Sequence, residues 1–204
     1  MNRDVGQVNY SRTVAILGVD VAREGDDRSA IATKIGRDCT MPLKVFRGLD
    51  GPQLGMQVLM YANELKQKGI PRVYINLDYT GVGASPYDWL KDKVQHLNKV
   101  ISASQSTNPQ RWANKRAEMW DKMRDFIRDD GVIPKSEELA EDLCIPEKLI
   151  DQKGRLLLES KDSMKRRGMN SPDAADALAL CFAIPIQEYI EDDNWRHQRI
   201  NRHK

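Results

Sequence analysis

Thr13-Val14-Ala15-Ile16-Leu17-Gly18-Val19-Asp20-Val21-Ala22 is the stretch on which the reading of the chain turns. Its residues from Val14 to Val19 are apolar and partly β-branched, as in a buried strand, and the run ends in one carboxylate, Asp20. A polar segment from Arg23 to Ser29 follows, then a second apolar run from Ala30 to Ile35, so the two runs predict a hairpin of buried strands. An unpaired charge against a core is strongly disfavoured. Asp20 therefore reads either as a metal ligand or as a cap of the turn behind the strand, and the stretch alone leaves both open.

Composition narrows the chemistry. A chain of 204 residues can bury one sizeable core, and 40% hydrophobic with 30% charged residues is the balance of an ordinary globular protein. The net charge of +2 does not by itself announce a nucleic-acid binder. The longest apolar stretch, Ala174 to Ile186, is too short for a membrane span and carries Asp176, and no signal peptide is visible, so a cytosolic location is expected. Cys39, Cys144 and Cys181 lie far apart, and His96, His197 and His203 keep no ligand spacing with them, which argues against a zinc site or a disulfide framework. Any metal must then be held by oxygen, as magnesium or manganese would be. An EF-hand frame starting at Asp20 fails, because Ala22 and Ile31 stand at positions that need ligands.

Outward from the first hairpin, Leu43 to Phe46 reads as a third strand and Gln53 to Lys68 as an amphipathic helix with Leu54, Val58, Tyr61, Ala62 and Leu65 on one face. Arg72 to Asp78 repeats the first pattern, a strand closed by a carboxylate. Gly81-Val82-Gly83 behind it suits a tight strand-to-helix turn or a phosphate cradle, although neither a dinucleotide fingerprint nor a P-loop is present. A helix from Pro86 to Lys91 and a parallel strand from Val94 to Ser102 follow. Gln110 to Asp129 reads as a long helix whose Trp112, Met119, Trp120, Met123, Phe126 and Ile127 face the core. Arg111, Lys115, Arg116, Lys122, Arg124 and Arg128 form its solvated remainder. Ser136 to Asp142 is a connection, Leu143 to Leu149 a strand, and Lys153-Gly154 the turn of a small hairpin returning through Arg155 to Glu159. Lys161, Lys165, Arg166 and Arg167 are either a solvated loop or a grip on an anion.

Ser171-Pro172-Asp173 marks a helix start, with Ser171 as N-cap and Pro172 at the first helical position. Asp173 is accounted for as a charge at the helix N-terminus, whereas Asp176 sits among Ala174, Ala175, Ala177, Leu178 and Ala179, small residues that let a helix approach a sheet closely. Asp20 ends one strand, Asp78 another, and Asp176 opens a late helix. The order of a three-stranded antiparallel unit, then alternating helices and strands, is that of an α/β ribonuclease-H-like fold. The expected architecture is a mixed sheet flanked by helices, with a small hairpin appendage.

Three segments, Gly18 to Ser29, Asp78 to Gly83, and Lys161 through Ser171-Pro172-Asp173-Ala174-Ala175-Asp176-Ala177, resemble the nuclease domain of the large terminase subunit of tailed double-stranded DNA bacteriophages. The resemblance spans roughly residues 11 to 186. The polar, unpatterned 1–12 reads as a linker, 13–190 as the ribonuclease-H-like nuclease domain, and 191–204 as a basic, flexible tail. The resemblance implies a metal-dependent endonuclease that cuts concatemeric phage DNA during genome packaging in the cytoplasm of an infected bacterium. It also implies partners: double-stranded DNA, an ATPase domain on a longer polypeptide, a small terminase subunit and a portal protein, with no membrane involved.

By position, Asp20 and Asp78 match the first two catalytic carboxylates and Asp176 the third, with Asp173 as an alternative ligand; Asp26 and Asp27 fall in the first motif and read as a hydrated turn. Two magnesium or manganese ions about 3.5 to 4 Å apart can activate water, neutralise the phosphate and stabilise the leaving oxygen. Asp20 would bridge them, Lys161 or Lys165 would touch the scissile phosphate, and Arg166 and Arg167 would grip the DNA backbone. A ribonuclease-H-like resolvase or transposase, and a non-catalytic DNA or portal docking domain, are the competing readings.

Overall fold

The computed structural model describes residues 13–22 and 28–187. Asp26 and Asp27, the expected linker over 1–12 and the expected tail over 191–204 lie outside them.

A five-stranded mixed sheet, ordered β3-β2-β1-β4-β5, forms the centre. Strands β1 (Val14–Asp20), β2 (Arg28–Ile35) and β3 (Lys44–Arg47) pair antiparallel, and β4 (Arg72–Asp78) and β5 (Leu97–Val100) add to β1 in parallel. This is the mixed sheet expected from the sequence. Because side chains alternate along a strand, Ala15, Leu17 and Val19 point to one face and Ile16, Gly18 and Asp20 to the other. The first face is covered by α1 (Gly51–Gln67) and α2 (Ala84–Leu90), through Leu54, Val58, Tyr61, Ala62, Leu65 and Leu90. The second is covered by α3 (Lys115–Arg128), α4 (Glu137–Cys144) and α6 (Asp173–Leu180).

Local chemistry explains the ends of these elements. Asp50 and Gln53 close a reciprocal capping box on α1, with Pro52 in its first turn. Between β4 and α2 the chain makes a single 3-10 turn, Gly81–Gly83, and a Cβ on Gly83 would stand 1.8 Å from the Asp78 carbonyl oxygen. The glycines therefore serve a tight turn.

Several elements depart from expectation. The long helix begins at Lys115 and not at Gln110, because Asn114 caps it while the Arg111 and Trp112 amides turn back on the Asn108 carbonyl. The acidic segment expected as a connection is α4, whose Ser136 accepts a bond from the Leu139 N–H. The strand expected from Leu143 is only β6 (Lys148–Ile150), paired with β7 (Leu156–Leu158) as the small hairpin. The strand expected over Val94 to Ser102 pairs only across β5. The basic cluster winds into α5 (Lys161–Arg166), capped by Ser160.

Candidate metal centre at the strand ends

Parallel pairing sets Gly18 beside Asn76 and Val19 beside Leu77, so one further step brings Asp20 next to Asp78 at the carboxyl ends of β1 and β4. Both carboxylates point to the α6 face. There α6 lies so close that a Cβ on Gly18 would stand 2.0 Å from the Ala177 carbonyl oxygen, and Ala174, Ala175, Ala177 and Ala179 are all buried. Both helix ends are tied. Asp142 of α4 accepts the Ala174 N–H at 2.9 Å, and the Asn76 amide donates to the Leu180 carbonyl at 2.8 Å, itself receiving the Asn98 amide at 2.9 Å.

The start of α6 corrects one expectation. Pro172 stands at the N-cap position, one residue later than expected, and no side chain of the helix's own start caps it. Asp142 supplies that acceptor from another element. Asp173 is thus not spent on capping; its carboxylate is buried and turned toward Arg28, which also pairs with Glu138.

Asp20, Asp173 and Asp176 converge on one ammonium. Lys161 Nζ lies 3.0 Å from Asp176 Oδ2, 3.8 Å from Asp20 Oδ2 and 4.0 Å from Asp173 Oδ1. Asp20 is 3% exposed and Asp173 and Asp176 are 7% exposed, so these charges interact with little screening from solvent. Asp78 is half-buried and oriented from two sides: Thr80 donates its N–H and hydroxyl to Oδ1 at 2.9 and 2.6 Å, and the Ser102 hydroxyl donates to Oδ2 at 3.2 Å. Asp176 Oδ1 accepts the Trp120 indole N–H at 2.8 Å and the Arg116 Nε–H at 3.2 Å.

Electrostatics separates the carboxylates. Burial pushes Asp20 well above the ordinary carboxylate range; Lys161 opposes this, and Asp176, Asp173 and Asp78 push further the same way. Burial likewise raises Asp173 against the pull of the Ser171 hydroxyl, Lys161 and Arg28. For Asp176 burial is again the largest influence, yet Arg116, Lys161 and the Trp120 N–H together overcome it and hold the carboxyl low. Burial works to lower Lys161, but the carboxylates around it raise it strongly.

Among the described residues, no three carboxylate, thiol or imidazole side chains surround a common ion position as they stand. The Lys161 ammonium occupies the ground between them. The donor chemistry fits a hard divalent cation: all four ligand candidates are carboxylates, and Asp20, Asp173 and Asp176 are buried.

The remaining expected residues separate. Lys165 and Arg166 are exposed on α5 and make no ion pair with a described residue. Arg167 instead staples α5 to the hairpin, bonding Glu159 at 2.9 Å through Nε and the Ile145 carbonyl at 2.8 Å. Arg116, Trp120, Thr80, Ser102 and Asp142 also shape the centre and were not expected there. For Thr80 and Ser102 a signal existed, since both flank strand ends at or beside Asp78.

No family model and no curated protein matches the sequence. Solved structures do match the fold. The nuclease domain of the large terminase subunit of bacterial virus Sf6 superposes with a TM-score of 0.65 at 19% identity, covering 86% of this chain and 89% of that one. A variant of that domain with manganese gives 0.63 at 18%, covering 89% and 92%. The large terminase nuclease of thermophilic phage G20c with bound magnesium gives 0.58 at 14%, covering 84% and 81%. At these identities the likeness shows that this chain shares the fold of those domains.

Proposed function

We propose that this chain is a divalent-metal-dependent endonuclease that cuts double-stranded concatemeric DNA during phage genome packaging. The observation that carries the reading is the meeting of Asp20, Asp78, Asp173 and Asp176 at the strand ends of a fold shared with terminase nuclease domains, among them forms with manganese and magnesium. Two magnesium or manganese ions held there would activate water, neutralise the phosphate and stabilise the leaving oxygen.

Asp20 lies within reach of the charges of Asp176, Asp173 and Asp78 and is suited to bridge. Asp78 is held at its strand end by Thr80 and Ser102, beside Asp20. Asp176 and Asp173 close the far side from α6. Lys161 balances the buried negative charge, and with cations held by the carboxylates its flexible stem would let the ammonium reach the scissile phosphate. Lys165 and Arg166, exposed on the same helix, contact neighbouring phosphates without reading sequence. An ATPase domain, a small terminase subunit and a portal protein are the partners this reading implies.

The competing docking reading draws on the same Lys161 geometry, since an ammonium among three carboxylates also serves a purely structural ion network. Plasmid DNA incubated with the chain and magnesium or manganese, with and without a chelator, decides between them. Nicking and linearisation that a chelator abolishes are expected; no cleavage with either metal overturns the nuclease reading. Preference for branched over linear duplexes would favour a resolvase.

A further inference from the structure

We infer that Arg116 is a positioning residue of the metal centre, clamping Oδ1 of Asp176 against α3 so that the carboxylate offers a cation only Oδ2. The inference rests on the metal-dependent reading above and names a residue that reading does not use. Arg116 lies in the first turn of α3, where the Asn114 cap fixes the helix start by accepting the Ala117 N–H at 2.9 Å. Its side chain is only 12% exposed and reaches both α6 and the segment between β7 and α5. Nε donates to Asp176 Oδ1 at 3.2 Å, Nη2 lies 3.1 Å from the same oxygen, and Nη1 donates to the Glu159 carbonyl at 2.8 Å. Glu159 and Ser160 lead directly into Lys161. Arg116 thus joins the helix that carries Asp176 to the segment that delivers Lys161.

The two oxygens of Asp176 are consequently unequal. Oδ1 receives the Trp120 indole and the Arg116 guanidinium, while Oδ2 has Lys161 at 3.0 Å and Arg116 Nη2 at a longer 3.4 Å. A planar guanidinium bound at three points holds its partner's orientation as a single ammonium cannot. Groups that orient a ligand in this way govern affinity although they never touch the ion.

The test compares Arg116→Ala and Arg116→Lys with the unaltered chain, measuring manganese affinity by calorimetry, cleavage of plasmid DNA and folding by urea denaturation. Arg116→Ala is expected to weaken manganese binding by roughly 10- to 100-fold. Methylguanidinium added to the solution should restore part of that affinity, which a general loss of structure would not allow. Arg116→Lys, which keeps the charge and the fold, should bind manganese almost as poorly. Manganese affinity unchanged in a folded Arg116→Ala, or full affinity in Arg116→Lys, overturns the inference while leaving the nuclease reading in place. If Arg116→Ala does not fold, Arg116→Lys decides alone. An unaltered chain that binds no manganese removes the metal-centre reading and the inference with it.

Discussion

Asp20, Asp78 and Asp176 are legible in the sequence because each breaks its surroundings: two close apolar strands, and one sits among alanines. Arg116 and Trp120 carry no such mark. In the helical pattern of α3 they read as one more surface cation and one more core aromatic, and their acceptor lies 60 and 56 residues further along the chain. Which face of a helix is solvated depends on what packs there, and local spacing does not contain that. At this scale the burial of Asp20 has a measurable consequence. Its carboxyl is pushed upward by burial and by three neighbouring carboxylates, with only Lys161 in opposition, so the ionised form is a local cost to the metal-free fold. Asp20→Asn keeps the shape and removes the charge. It is expected to abolish metal-dependent cleavage and to stabilise the metal-free protein by about 0.5 to 2 kcal/mol, the common range for a single stabilising substitution. Urea denaturation at neutral pH measures this; a less stable Asp20→Asn would mean that its pairing with Lys161 outweighs burial.

The elements differ in how openly they announce themselves. The buried face of α1 follows directly from Leu54, Val58, Tyr61, Ala62 and Leu65, all of which are buried as expected. By contrast α4 hides behind its acidity, although Ser136 followed by Glu137 and Glu138 is a helix-start signature. Its Asp142 is therefore the one contact at the start of α6 that nothing in the neighbouring sequence suggests. Packing of α6 on β1 rests on Gly18, whose missing Cβ makes room for the Ala177 carbonyl. Gly18→Ala should force the helix outward, costing about 1 to 3 kcal/mol as overpacking does. Because the shift also carries Asp173 and Asp176 away from Asp20, cleavage should fall by more than the lost stability explains. The check is activity assayed where the variant is still fully folded; activity equal to the unaltered chain there would show that α6 accommodates the methyl without moving.

For the molecule as a whole, pH sets two populations of carboxylates against each other. Asp20, Asp142 and Asp173 are raised, chiefly by burial, so their ionisation opposes folding at neutral pH. Glu118 is the strongest counterweight in the core of α3. Its side chain is fully buried, and burial alone would raise it. Instead Lys122, the N–H and hydroxyl of Thr107 at 2.8 Å each, and Lys115 bring it from the ordinary 4.5 down to about 2. A carboxyl lowered by folding contributes stability that is fully present above its unfolded value and is lost as pH falls through its folded value. Glu118 therefore stabilises the molecule above about pH 4.5, and that contribution declines toward pH 2. Glu118→Gln should be less stable than the unaltered chain at pH 7, and the gap should narrow steadily below pH 4.5. Urea unfolding midpoints of both proteins at a series of pH values read the gap directly. A gap that stays constant down to the acid limit would mean that Glu118 contributes through hydrogen bonds and packing alone, with its charge making no difference to folding.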